Sequence, residues 1–101
     1  MARLDVYRGP ERSSRIYVVD VQADLLADLM TRVVVPLIPE ASGRKVAADL
    51  NPVFEIEGQP HVLVTQAVAT VPRRELRQVV TSLSEHHDTV LRALDVLLRG
   101  I

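Results

Sequence analysis

The sequence has neither cysteine nor tryptophan, and its aromatic side chains are Tyr7, Tyr17 and Phe54 alone. Without thiols, the fold can rely on neither a disulfide nor a thiolate-bound zinc. Without large rings, the core has to be made of Val, Leu, Ile and Ala, and the frequency of Val favours strands through most of the chain. Long apolar runs are missing too. Stretches such as residues 33–35 and 62–64 fall far short of the roughly 20 residues that a membrane-spanning helix needs. Arg3, Asp5, Arg8, Glu11 and Arg12 stand where a secretory leader would carry its apolar run, so no signal peptide is expected. Nor is there an excess of charge of one sign: 12 basic residues face 13 acidic ones. That balance argues against autonomous nucleic-acid binding, which needs a basic surface to neutralise phosphates. Arg73, Arg74 and Arg77, interrupted by Glu75, read as a solvated face. What remains is one cytoplasmic domain over residues 1–101, in which 48% apolar residues supply a single core.

Residues 4–7 alternate in polarity and read as a strand, followed by a turn at Gly9-Pro10 and a polar loop over 11–15. Residues 16–21 (IYVVDV) form a second strand, which pairs with the first as a hairpin. Residues 22–30 (QADLLADLM) leave two readings open: a two-turn helix with Leu25, Leu26 and Leu29 on one face, or a loop with a short strand. Residues 32–37 (RVVVPL) are a third strand, whose end Pro36 places at an edge or bulge, and residues 39–44 are a loop. Asn51-Pro52 opens a hairpin with arms over 53–56 and 61–66 around a Glu57-Gly58 turn, and 69–71 extends the sheet. Residues 73–83 fit strand or helix.

The closing segment predicts a helix. Ser84 is a candidate N-cap, with Glu85 and Asp88 in the first turn. Val90, Leu94, Leu97 and Leu98 recur at helical spacing with Leu91 beside them, and Gly100 stops the run. About six strands and a terminal helix make an α+β domain dominated by antiparallel sheet.

Signals for catalysis are absent. His86 and His87 are neighbours on the helix and point about 100° apart, which is poor geometry for one metal. His87 shares a face with Leu91 and reads as a packed side chain, and His61 stands alone in a strand. Asp20, Asp24 and Asp28 recur every four residues, but Asp20 belongs to a strand. No nucleophile elbow or phosphate loop surrounds any serine, and no metal or cofactor is indicated. A metal-free nuclease needs only a positioned Arg and a polar partner, for which Arg12, Arg32 and Thr65 are the candidates. The ending Leu97-Leu98-Arg99-Gly100-Ile101 lacks a polar tail. Ile101 either tucks onto the core or a dimer seam, or acts as an apolar plug that enters a partner.

The run Val19-Asp20-Val21-Gln22, then Asp24-Leu25-Leu26, Arg32 and Val35-Pro36-Leu37, resembles the CcdB family of gyrase-poisoning toxins. So do Asn51-Pro52-Val53, Val71-Pro72, Leu83-Ser84 and Gly100-Ile101, and the resemblance extends from about Leu4 to Ile101. It implies an SH3-like barrel with a small additional sheet and a long C-terminal helix, shared with toxins of the MazF and Kid type. It also implies a symmetric homodimer, with no cofactor, that binds the gyrase A subunit and traps gyrase on cleaved DNA. On this likeness Leu98, Arg99, Gly100 and Ile101, with Leu25 and Leu26, face gyrase. Asp95, Leu98, Arg99 and Ile101 face a CcdA-like antitoxin, and DNA is met only through the toxin–antitoxin complex. One departure stands out: the best-known members carry Trp before Gly-Ile, where this chain has Arg99. Two alternatives accompany this reading: a messenger-RNA endonuclease of the MazF and Kid type, and a relative that dimerises and binds antitoxin without poisoning gyrase.

Overall fold

The computed structural model describes residues 2–9, 16–40 and 47–101. Among the described residues seven strands precede one α-helix: β1 (Asp5–Arg8), β2 (Tyr17–Asp20), β3 (Thr31–Pro39), β4 (Val53–Ile56), β5 (Gln59–Leu63), β6 (Ala69–Pro72), β7 (Val79–Ser82) and α1 (His87–Arg99). Every pairing is antiparallel, and the strands follow the order β4-β5-β3-β2-β1-β7, with β6 added to β3. The result is an antiparallel half-barrel with a C-terminal helix, the architecture expected of the CcdB and MazF fold. No helix among the described residues is long and apolar enough to cross a membrane.

β3 organises the sheet because it is long enough to serve two partners along one edge. Its first half pairs with β6 (Val34 opposite Ala69) and its last three residues pair with β5 (Leu37 opposite Leu63), while β2 runs along the other edge. The strand expected over residues 32–37 runs further at both ends, from Thr31 to Pro39, and Pro36 lies inside it. The reason lies in the register. The Pro36 carbonyl accepts the Val64 amide at 2.9 Å, so its ring nitrogen faces the same edge, where β5 gives way to β6 and no ladder donor is required.

Alternation along the strands divides the apolar side chains between two faces. Val6, Val19 and Val35, side by side in register, join Leu37, Ile56, Leu63 and the helix residues Val90 and Ala93 in the main core. Tyr7 and Val34 point the other way and pack with Leu76. Leu98 follows Val90 by eight residues, a rotation of about 80°, and lies off the packed stripe, 75% exposed.

Several local expectations are corrected. The second hairpin arm ends at Leu63, and residues 65–67 form a 3₁₀ turn. Residues 73–75 form another such turn before β7. Ser84 does not cap α1: a 3₁₀ turn over 84–86 leads into the helix, and the Ser84 amide donates to Ser82 Oγ at 3.1 Å. His87 is exposed beside Asp88, whereas His86 lies against the Phe54 ring at 5.1 Å. The loop over 39–44 gives up Pro39 to β3, and its residues 41–44 lie outside the described residues, as do Pro10 and residues 11–15.

Candidate functional site

The β2–β3 connection is held from within by polar groups and turns its apolar residues outward. Asp20 Oδ1 accepts the Gln22 amide at 3.0 Å, a local turn of the kind Asp favours. Gln22 then works in both directions: its Nε2 donates to the Leu26 carbonyl at 3.0 Å, and its Oε1 accepts the Val33 amide at 3.1 Å. Asp24 Oδ1 accepts the Arg3 amide at 2.9 Å, fastening the loop to the segment before β1. Between these anchors residues 24–26 form a single 3₁₀ turn rather than an amphipathic helix. Leu25 is 92% exposed, and Leu26, Leu29 and Met30 are also exposed.

A second exposed apolar group follows α1. Gly100 takes the left-handed conformation (φ 76°), and its amide donates to the Asp95 and Val96 carbonyls at 3.1 and 3.0 Å. This closes the helix and leaves Leu98 and Ile101 in solvent. Arg99 and Asp95, one helical turn apart, approach to 4.0 Å with both side chains more than half exposed, a contact of little energetic weight. All of the residues expected to face a partner are therefore exposed: Leu25, Leu26, Asp95, Leu98, Arg99, Gly100 and Ile101. Among the described residues no hydrogen bond joins the β2–β3 loop to the end of α1.

The residues named for a metal-free nuclease fare differently. Arg32 is wholly buried, with Nε and Nη2 donating to Asp20 Oδ2 at 2.9 and 2.6 Å. Thr65 is also wholly buried and donates its hydroxyl to the Leu50 carbonyl. Both hold the fold together, and neither is presented to a substrate. Arg12 lies outside the described residues. No cluster of three or more His, Cys, Asp or Glu suited to a metal occurs among the described residues.

A polar network that sequence reasoning missed sits at the β4–β5 turn. Glu57 and Gly58 both take positive φ (50° and 80°), the type I′ geometry that matches the twist of a hairpin. The Glu57 carboxylate accepts the Tyr17 hydroxyl and pairs with Arg8 Nη2 at 3.0 Å. The hydrogen bond from Tyr17 and then the charge of Arg8 hold the carboxyl below its usual range, while the same bond pushes the Tyr17 phenol up. His61 meets the Tyr17 ring edge-on at 5.0 Å, and its Nδ1 lies 2.9 Å from the Gln59 carbonyl. The one sequence signal for this site was an acidic residue at a turn position that usually carries Asn, Asp or Gly.

Comparison with known proteins decides the family. The family model described as "CcdB protein" matches residues 3–100. The chain belongs to the CcdB family. CcdB proteins are toxins of toxin–antitoxin systems, so the chain is a toxin whose partner is an antitoxin. Among solved structures it is similar to Mycobacterium tuberculosis toxin MazF-mt6, with a TM-score of 0.64 and 15% identity over 78% of this chain and 81% of that one. At that identity the likeness shows a shared fold, in agreement with the half-barrel described above.

Proposed function

We propose that this toxin binds the gyrase A subunit and traps gyrase on cleaved DNA, acting as a poison rather than a catalyst. The observation that carries the reading is the exposure of Leu25 at 92% on a hydrogen-bonded loop, and of Leu98 and Ile101 at 75% and 68% on either side of the Gly100 helix cap. Exposed apolar residues on rigid supports mark surfaces meant for a partner. They fall at the positions where the family likeness puts gyrase contacts, together with Leu26, Arg99 and Gly100. A symmetric homodimer would bring two copies of each patch to one assembly. A CcdA-like antitoxin covering Asp95, Leu98, Arg99 and Ile101 would compete for the same surface, and the toxin–antitoxin complex, rather than the toxin alone, would bind operator DNA. Gyrase is a cytoplasmic target, so the toxin acts there.

Arg99 changes the character of the contact. A guanidinium can stack on an aromatic ring or another Arg and donate in a plane, but desolvating it requires a partner group. The test is calorimetric titration of the purified gyrase A subunit with the wild type, L25S, I101S and the control V79S on β7. Weakening of more than about tenfold by L25S and I101S, the scale of one lost hot-spot side chain, with V79S unchanged, supports the reading. Equal affinity for all four proteins contradicts it.

A further inference from the structure

The Glu57 network forms one wall of a cavity of about 440 Å³ between the β4–β5 turn and the end of β3. Its lining has a definite chemical sign. Glu40 and Glu57 contribute carboxylates, Tyr17 and His61 contribute rings, and Pro39 and Pro60 contribute flat apolar walls. Neither Lys nor Arg lines it among the described residues.

The fold also shows what such a site accepts. The Arg8 guanidinium reaches Glu57 from outside the cavity, its Nη2 at 3.0 Å from Oε1 and 3.1 Å from Oε2, with Cζ 5.8 Å over the Tyr17 ring. Carboxylate plus aromatic face is the pairing that suits planar organic cations. Arg8 bridges the two carboxylate oxygens through one nitrogen, which leaves further acceptor positions on Glu57 and those of Glu40 for a second cation. Glu57 holds this position at the first place of the type I′ turn (φ 50°).

We propose that this cavity binds an organic cation with an apolar stem, a guanidinium or primary ammonium head seated between Glu40 and Glu57 and a stem lying on Pro39 and Pro60. Such a group is carried by an arginine side chain of a partner polypeptide or by a free guanidino-amine. Arg8 then acts as an internal competitor for Glu57. The site is separate from the surface proposed for gyrase and does not depend on that reading.

The test is a titration of the full chain, followed by amide chemical shifts, with N-acetyl-arginine methylamide, with agmatine, and with the uncharged N-acetyl-citrulline methylamide. Saturable shifts at residues 39–40 and 56–61 are expected from the two cations and not from the citrulline derivative. Removing the competitor in R8Q should tighten binding, by about tenfold if it frees one charge-assisted hydrogen bond. E40Q and E57Q should weaken it by about the same factor. Glu40 is exposed, so E40Q tests the site without disturbing the turn. A tighter arginine derivative points to a polypeptide side chain, and tighter agmatine to a free cation. No saturable shift in wild type and R8Q, an equal response to the citrulline derivative, or undiminished affinity in E40Q overturns the proposal.

Discussion

Arg32 Nη2 lies 2.6 Å from Asp20 Oδ2, and both side chains are wholly buried. Asp20 sits opposite Val34 in the β2–β3 register, two residues from Arg32, so the sheet itself brings the pair together. Asp20 divides its two oxygens, one for Arg32 and one for the Gln22 amide that starts the exposed β2–β3 loop. A buried ion pair thereby fixes the direction in which Leu25 and Leu26 leave the sheet.

Breaking that pair from one side strands a charge in the core. D20A should cost about 3–5 kcal/mol, read from urea unfolding at neutral pH. R32M should be costly as well, since it leaves the Asp20 carboxylate buried. A loss below about 1 kcal/mol in both variants would mean that the pair is solvated in solution.

Leu25 invites the opposite prediction. It supports nothing in the fold, so L25S should leave stability within about 0.5 kcal/mol while greatly reducing growth inhibition by the expressed toxin. Unfolding midpoints and plating efficiency measured on the same variant separate the two effects. Undiminished growth inhibition would remove the β2–β3 loop from the partner surface.

Gly100 is tested through its backbone. A Cβ there meets nothing within 4 Å, yet φ is +76°, so G100A pays only conformational strain, about 1 kcal/mol. Relief of that strain would redirect Ile101. Toxicity should fall while global stability changes by no more than that amount. Full toxicity would show that the direction of Ile101 is immaterial.

The Glu57–Tyr17 bond predicts a pH dependence of definite sign. The Glu57 carboxyl is lowered in the folded state from its ordinary value of 4.5, first by the Tyr17 hydroxyl and then by Arg8. Its contribution is complete above pH 4.5 and is lost as pH falls through the lower folded value. Tyr17 is raised from 10.0, so its share is present below that pH and is lost as pH rises through the higher folded value. Protection of the amides of residues 56–59 against hydrogen exchange, relative to their intrinsic rates at each pH, should fall at both extremes, and Y17F should remove most of the acid-side change. An identical acid profile in Y17F would refute the assignment.

Strands β1 to β6 and the body of α1 were legible in the sequence because β-branched runs, a two-residue turn and an apolar helical stripe each report a local preference. The failures share a cause: a long-range contact outweighed the local signal. Leu25, Leu26 and Leu29 carry helical spacing, but the bonds of Gln22 to Leu26 and Val33 allow only a single 3₁₀ turn. Pro36 marks an edge position, as read, but the strand passes on to Pro39 because β5 and β6 divide one edge of β3 around it. Arg32 and Thr65 have the chemistry of catalytic groups, and only their burial shows that they are structural. The residues proposed to face a partner came from family likeness, since no local pattern distinguishes an exposed Leu98 from a packed one. Glu57 went unnoticed because Arg8 and Tyr17 are remote from it in sequence.

Poisoning of gyrase through the residues around the end of α1 is open to direct assay. Its most direct test is a DNA-cleavage assay with gyrase and ATP, comparing the full chain with one ending at Leu98, each first shown to be folded. Linear DNA accumulating with the full chain alone is the predicted result, and it would show that Arg99 serves where relatives carry Trp. Equal accumulation with the shortened chain, or none with either, would contradict the claim.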